Sequence, residues 1–304
     1  MSRLPGTALL SALTAAGVLT TAMAQEDLSF RGYSVRAFHS YEPSARAGDR
    51  AGTALSFWNG DLEQARAAWR KRDYKAARRA FLRAWKKGHL VAAWYLGHIH
   101  RLGLGVKVDH LRAFGYYRQV VLAGAPQQDD ARKQRIMVDA MVRLADYYRT
   151  GIRGNGKRRV HDPRRAMRLY SIAAGYRHRD AFYGMGVMLL KGQGTQPSQM
   201  RAINWLAKAA RLGHVKAALL LADVARQGVP GRIASNPTLA LSWLLVAAAS
   251  TTQERHPQVF RRLRNRLREA DAQSRDLARQ LARRFTPRVQ AVEMLVVGKP
   301  AVVR

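Results

Sequence analysis

The stretch LGHIHRLGLGV, residues 96–106, decides the fold because closely related stretches recur three more times along the chain. They are LADYYRTGIRG (144–154), MGVMLLKGQG (185–194) and LADVARQGVPG (221–231). Each copy places a small residue inside an apolar helical pattern and a glycine where that pattern stops. The small residue suits a close crossing by a second helix, and the glycine suits the left-handed backbone of a helix end. The recurrence therefore predicts repeated helices with a shared packing position and a shared end.

A second helical pattern, which opens on an alanine, follows each of the four copies and also precedes the first. Aromatic or leucine side chains follow this alanine three and four positions later, and small or apolar side chains follow seven and eight positions later. The five opening alanines are Ala77, Ala113, Ala166, Ala202 and Ala240. Two helices per repeat and a period in the thirties, with one longer interval, indicate an all-α solenoid of stacked helix pairs. Each pair then depends on its neighbours to bury its apolar face.

The N-terminus indicates export. Arg3 precedes the apolar run TALLSALTAAGVLTTA, whose last residue begins an A-x-A pattern formed by Ala22 and Ala24. This order is typical of a secretory signal peptide, with cleavage between Ala24 and Gln25 and a periplasmic destination. The alternative is a membrane anchor, but the run is shorter than the roughly 20 residues that a spanning helix needs.

The overall composition narrows the classes of function. The chain has 304 residues, and its lack of cysteine excludes disulfides, thiolate metal sites and a lipoprotein anchor. Its formal charge of +33 would favour nucleic acid in a cytoplasmic protein, but the export signal argues against that partner. No catalytic constellation is present, and His98 and His100 point in different directions from one helix. We therefore expect a non-enzymatic protein without cofactor or metal.

These patterns divide the chain into five parts. They are a signal peptide (1–24), a flexible N-terminal leader (25–57), a repeat solenoid (58–252), Arg-rich C-terminal capping helices (253–287) and a tail (288–304). The capping helices would cover the last repeat and expose a charged face. Alternatively, their arginines contact an anionic envelope polymer or lipid headgroups.

Residues 62–250 resemble Sel-one-like repeats, which are related to tetratricopeptide repeats and have a longer glycine-containing turn. The resemblance implies a right-handed α-solenoid. A narrower resemblance follows from the order of the parts: a signal peptide, an opening half-repeat, the extended linker GAPQQDDARKQRIMVDA and the lengthened turn in LADYYRTGIRGNGKRRVHDPRRAMRLYSIAA. This order is similar to that of the ExoR-like regulators of exopolysaccharide production in alphaproteobacteria.

The narrower resemblance implies a function. ExoR-like proteins are exported and restrain the periplasmic sensor domain of an inner-membrane histidine kinase. The same role is expected here, with that sensor domain as the protein partner. The alternative is a periplasmic scaffold for the polysaccharide or peptidoglycan machinery of the envelope. The strong basicity and the Arg-rich C-terminus depart from the family pattern.

The resemblance to tetratricopeptide repeats also implies a binding groove. In such solenoids the first helix of each pair lines a concave face. The predicted partner-binding positions are Trp94, His98, Arg101, Val142, Asp146, Arg149, Tyr183, Val187, Asp223 and Arg226. The same register adds Val91, Asp139, Asp180, Leu190, Lys216 and Leu219. For Asp139 and Asp180 the alternative is that each caps a helix N-terminus.

Three histidines occupy equivalent repeat positions, three residues before a helix-opening alanine. They are His89, His178 and His214. We expect neutral imidazoles to accept hydrogen bonds from helix N-termini, and protonation to remove this contact and oppose the helix dipole. These histidines are therefore candidate pH sensors. The alternative is that they are tolerated linker residues.

Overall fold

The computed structural model describes residues 60–123, 131–152, 160–228, 233–286 and 289. Several predicted segments lie outside this part of the chain: the signal peptide with its cleavage site at Ala24 and Gln25, the leader, and all of the tail except residue 289. Twelve α-helices form the described part. They are α1 (Gly60–Arg70), α2 (Tyr74–Lys86), α3 (Leu90–Leu102), α4 (His110–Leu122), α5 (Ala131–Thr150), α6 (Pro163–Gly175), α7 (Arg179–Lys191), α8 (Gln199–Arg211), α9 (Val215–Gln227), α10 (Pro237–Ala249), α11 (Pro257–Glu269) and α12 (Ala272–Phe285). The prediction of an all-α repeat fold is confirmed.

The helices fall into two compact units, of which the first contains α1–α6 and the second α7–α12. In the first unit each helix packs mainly against the helices before and after it in sequence. In the second unit α7–α10 follow the same rule, and both α11 and α12 pack against α10. Contacts between neighbours in sequence are those expected of stacked helical repeats.

The small residues of the recurring stretches lie at close helix crossings. A Cβ atom on Gly97 of α3 would come within 2.7 Å of the Tyr117 ring of α4. A Cβ atom on Gly186 of α7 would come within 2.7 Å of Leu206 Cγ on α8. At the end of α3, Gly103 has a φ of 70°, and its N–H donates to the Ile99 carbonyl. Both predictions made from the opening stretch, a close crossing and a left-handed helix end, are confirmed.

The second helices of the pairs begin at polar caps. Asp109, Asp162 and Asn236 precede α4, α6 and α10, and each side chain accepts a hydrogen bond from the backbone N–H three residues later. Pro163 and Pro237 then occupy first-turn positions, where the missing N–H costs nothing. These caps fix where each second helix starts and therefore how its apolar face meets the preceding helix.

The C-terminal helices cover α10, which is buried nearly all round. The Phe285 ring of α12 stacks on the Trp243 ring of α10, with centroids 4.2 Å apart. On α11, Phe260 and Leu263 are buried while the arginines between them remain exposed or half-buried. Among the described residues, no helix combines the length and apolar character needed to cross a membrane.

The segment before the second repeat differs from the sequence expectation. We expected GAPQQDDARKQRIMVDA to be an extended linker, but α5 begins at Ala131, inside it. Met137, Val138 and Met141 are buried at helical spacing, and their burial stabilises this early start.

Candidate functional site

The predicted groove positions of the first compact unit converge on Asp139 of α5. The Trp94 indole Nε1–H of α3 donates to Asp139 Oδ2 at 2.8 Å. One turn further along α3, His98 Nε2 lies 3.2 Å from the same oxygen. Trp94 and His98 also contact each other edge to face, with ring centroids 4.4 Å apart. The expected spacing along α3 therefore places both side chains on one face toward α5.

The other carboxylate oxygen of Asp139 is held by basic groups. The Arg143 guanidinium, one turn along α5, donates to Oδ1 from its terminal nitrogen at 2.9 Å and from Nε at 3.2 Å. His178 Nε2, just after α6, lies 3.8 Å from Oδ1. Together, Trp94, His98, Asp139, Arg143 and His178 form what we call the Asp139 cluster. It joins residues of two successive repeats and of the segment that follows them.

Charge and burial set the protonation states in the cluster. Burial opposes ionisation of Asp139, but the His98 hydrogen bond, the Arg143 cation and the Trp94 hydrogen bond hold the pKa of its carboxyl well below the usual range. Burial lowers the pKa of His98, although Asp139 partly offsets this effect. At neutral pH the cluster therefore contains a carboxylate beside a neutral imidazole.

A second carboxylate extends the polar surface by two helical turns. Asp146 accepts a hydrogen bond from the Tyr170 hydroxyl of α6, and that hydroxyl accepts from Arg149 Nε at 3.2 Å. Arg143 links the two carboxylates because its other terminal nitrogen lies 3.5 Å from Asp146. Burial, followed by the Asp146 charge, raises the pKa of Tyr170 far above its usual value. The predicted positions Asp146 and Arg149 thus belong to the same network as the Asp139 cluster.

Arg101 differs from the other cations of this face. Its terminal nitrogen lies 3.4 Å from His98 Nδ1, while its Nε is buried without a hydrogen-bond partner. Within the described part of the chain, no carboxylate pairs with it, unlike Arg143 and Arg149. The buried Tyr117 side chain lies beside the Arg101 guanidinium, whose charge acts on its hydroxyl. This arrangement holds an available cation beside a fixed aromatic and imidazole surface, which suits recognition of an acidic group.

Several predicted positions lie elsewhere than expected. Val142 and Val187 are 0% and 7% exposed and pack in the core, so neither presents a surface to a partner. Asp139 lies within α5 and does not cap a helix, because α5 begins earlier than the sequence indicated. Asp180 lies in the first turn of α7. The buried Val91 contributes to the core around α3.

In the second compact unit, the predicted positions contact His214 or α11, or lie at the surface. The Tyr183 ring stacks on His214, with centroids 4.3 Å apart. Asp223 forms an ion pair with Arg262 of α11. Lys216 and Arg226 are exposed, whereas Leu190 and Leu219 are half-buried. Tyr183 and Asp180 therefore both contact His214, whereas Asp223 contacts a C-terminal helix.

The three candidate pH sensors have different environments. His214 Nδ1 accepts a hydrogen bond from the Ala217 N–H at 3.1 Å, which is the expected cap of α9. Burial lowers the pKa of His214, and Asp180, 3.9 Å from Nε2, partly offsets this effect. His89 occupies the equivalent position before α3, but its side chain makes no capping hydrogen bond. His178 faces Asp139.

Sequence reasoning missed Arg143 and Tyr170. Arg143 follows Asp139 by four residues, so the usual helical ion-pair spacing could have identified it. Tyr170 was recognised only as part of an apolar stripe. Its hydroxyl reaches Asp146 across 24 positions in sequence, and no local signal indicates such a contact.

With this geometry described, comparison with known proteins identifies the repeat type. The family model of the Sel1 repeat matches residues 90–120, 138–174, 180–214 and 215–251. The chain therefore contains a region of Sel1 repeats, as the recurring stretches predicted.

Two curated relatives share part of this sequence, and both are named "Exopolysaccharide production negative regulator". The protein of Rhizobium leguminosarum bv. viciae is 30% identical over 52% of this chain and 58% of its own length. The protein of Rhizobium meliloti (strain 1021) is 32% identical over 47% of this chain and 54% of its own length. The chain thus spans little more than half the length of these relatives. Among solved structures, a Sel1 repeat protein from Oxalobacter formigenes aligns with a TM-score of 0.48 and 19% identity, over 77% of this chain and 88% of that protein.

Proposed function

We propose that this protein is an exported, non-enzymatic negative regulator of exopolysaccharide production. In this proposal it binds the periplasmic domain of an inner-membrane sensor kinase and holds that kinase inactive. The names of the two curated relatives and the signal-peptide pattern at residues 1–24 support it. So do the Sel1 repeats, since helical repeats commonly present extended binding surfaces.

The Asp139 cluster is the observation on which this proposal most depends. Its side chains are held by mutual hydrogen bonds, so little side-chain entropy remains to be lost when a partner binds. Tryptophan and arginine are also the side chains most often found at the centres of protein interfaces. Arg101, without a carboxylate of its own, would pair with an acidic side chain of the kinase domain. We propose the exposed Arg226 as a further contact.

Crosslinking tests this proposal. A photoreactive amino acid is placed at Leu102, an exposed position next to Arg101, and the crosslinked protein is purified from the cell envelope. Mass spectrometry then identifies the partner. We expect the periplasmic domain of a sensor kinase, and we expect Arg101→Glu to abolish the crosslink.

The matched control is Arg79→Glu, which makes the same charge change at an exposed position of α2. It should leave the crosslink intact. Recovery of a polysaccharide synthase or secretion component in place of a kinase would support the alternative role as an envelope scaffold. Equal loss in both variants would show that Arg101 acts only through net charge.

A further inference from the structure

A second surface feature of the first compact unit is independent of the Asp139 cluster. A pocket of about 320 Å³ lies between α2, α3 and α4 and opens to solvent. This volume is at the lower end of the roughly 300–1,000 Å³ typical of small-ligand sites. His100 of α3 lines the pocket, whereas His98, two residues earlier, faces Asp139. Residues two apart on a helix point about 200° apart, so the pocket and the cluster lie on different sides of α3.

Two buried polar atoms at this pocket lack partners. The His100 side chain is only 3% exposed, and its Nδ1 makes no hydrogen bond within the described part of the chain. Arg78 Nε, from α2, is also buried without a hydrogen-bond partner. Buried polar groups are nearly always paired, since an unpaired one loses its hydrogen bonds to water without replacement. Both side chains line this pocket, so Arg78 and His100 bring incompletely paired polar groups to its wall.

The charge of the pocket indicates an anionic ligand. Arg78 and Arg112 both line it, and their guanidinium groups match the planar geometry of a carboxylate. Arg112 also lies 3.2 Å from Asp109, but its side chain is 65% exposed and can turn toward a ligand. Burial, followed by the nearby Arg112 and Arg78 cations, lowers the pKa of His100. The imidazole is therefore neutral at pH 7 and can exchange hydrogen bonds with a hydroxyl group.

The remaining lining provides an apolar face and a further amide. The Tyr116 ring stacks on His100 with centroids 5.8 Å apart, and Trp85 meets Tyr116 edge to face at 5.4 Å. The Trp85 indole N–H donates to Gln119 Oε1 at 2.9 Å. This bond holds the amide oxygen toward Trp85, so the amide N–H groups can donate to a ligand. Aromatic surface beside hydroxyl-binding groups suits a sugar ring, which has apolar C–H faces and a polar edge.

We propose that this pocket binds an acidic sugar, namely a uronic acid unit. Its carboxylate pairs with Arg78 and Arg112, its hydroxyls meet His100 and Gln119, and one ring face lies against the aromatic side chains. A saccharide requires all three kinds of group, whereas phosphate would require only the cations. This proposal does not depend on the proposed kinase partner.

Gly115 keeps the pocket open. It lies on α4 among the lining residues, and a Cβ atom built on it would meet no heavy atom within 4 Å. Glycine inside a helix is less favourable than alanine or leucine, so a larger residue here should not destabilise the helix. Gly115→Leu therefore offers a way to fill the pocket without disturbing the fold.

Calorimetric titration of the full chain tests the proposal. The probes are digalacturonate, the neutral disaccharide maltose and inorganic phosphate, each at fixed ionic strength. We expect digalacturonate to bind at least tenfold more tightly than either other probe. Gly115→Leu and Arg78→Gln should each weaken digalacturonate binding at least tenfold while keeping the thermal unfolding transition. The exposed neighbour variant Arg79→Gln, which loses the same charge, should bind as the wild type does.

Three results would overturn the proposal. Absence of digalacturonate binding would do so directly, and so would unchanged binding by the folded Gly115→Leu variant. Equal weakening in Arg78→Gln and Arg79→Gln would show that only the net positive charge of the chain attracts the probe. Phosphate binding as tight as that of digalacturonate would show that the pocket recognises charge without a sugar.

Discussion

At the scale of single residues, Asp139 joins two predicted binding positions of α3, Trp94 and His98, to α5. Its carboxylate accepts hydrogen bonds from Trp94 and Arg143 and lies within hydrogen-bond distance of His98, and its side chain is only 17% exposed. These groups lose a shared charged partner when the Asp139 carboxylate is neutralised. The local stability of this face should therefore depend on the negative charge of Asp139.

We expect Asp139→Asn to lower the free energy of unfolding by about 2 kcal/mol, because Trp94, His98 and Arg143 lose the charged group that they share, while Arg143 keeps its contact with Asp146. Denaturant unfolding measures the change. The control is Asp276→Asn, at an exposed position of α12, which should shift stability by no more than about 0.5 kcal/mol. Similar values for the two variants would contradict the structural role of Asp139.

The environment of His214 leads us to expect that the folded state loses stability as pH falls. The pKa of His214 is lower in the folded protein than the value of about 6.5 in the unfolded chain. The stabilisation that neutral His214 contributes to the folded state is therefore complete above pH 6.5 and is lost as pH falls through the folded pKa. Protonation also removes the acceptor that caps α9 at the Ala217 N–H. Mild acid should therefore destabilise the second compact unit.

His214→Asn keeps a capping acceptor but cannot titrate. Between pH 7.5 and 5.5, we expect this variant to lose less unfolding free energy than the wild type, by about 0.3–1 kcal/mol. Unfolding midpoints at the two pH values provide the measurement, and the exposed His161→Asn serves as control. An equal loss in the wild type and His214→Asn would exclude this histidine as a pH sensor.

At the scale of helices, the crossings at Gly97 and Gly186 determine how each pair packs. Gly186→Leu would overpack the α7–α8 crossing against Leu206, and we expect a cost of roughly 1–3 kcal/mol or more. The matched control is Gly115→Leu, since a Cβ at Gly115 meets nothing within 4 Å. Thermal melts compare the two. Equal melting temperatures would show that Gly186 does not lie at a tight crossing.

Sequence patterns predicted the helix pairs well because the controlling signals are local. The Gly97 and Gly103 spacing, the caps and the apolar stripes all act within one or two turns. The site was predicted less well because a repeat register tells which face a residue occupies, not how deeply it lies. Val142 and Val187 therefore looked like surface residues, and the Tyr170–Asp146 contact between helices gave no signal.

At the scale of the whole molecule, the formal charge of +33 promotes nonspecific attraction to any polyanion. We expect heparin and duplex DNA to bind with similar affinity. Both affinities should fall steeply, by at least tenfold, between about 50 and 200 mM salt because binding releases counterions. Fluorescence titration at the two salt concentrations measures this effect. Salt-resistant binding to one polymer would instead indicate a specific site for it.

The central claim is that the protein restrains exopolysaccharide production by binding a partner through the face around Asp139 and Arg101. Its most direct test is the amount of exopolysaccharide per cell in a strain lacking the gene, complemented with the wild type, Arg101→Glu or Arg79→Glu at equal protein levels. We predict overproduction in the deletion strain, restoration of the original level by the wild type and Arg79→Glu, and continued overproduction with Arg101→Glu. Unchanged or reduced exopolysaccharide in the deletion strain would contradict the claim.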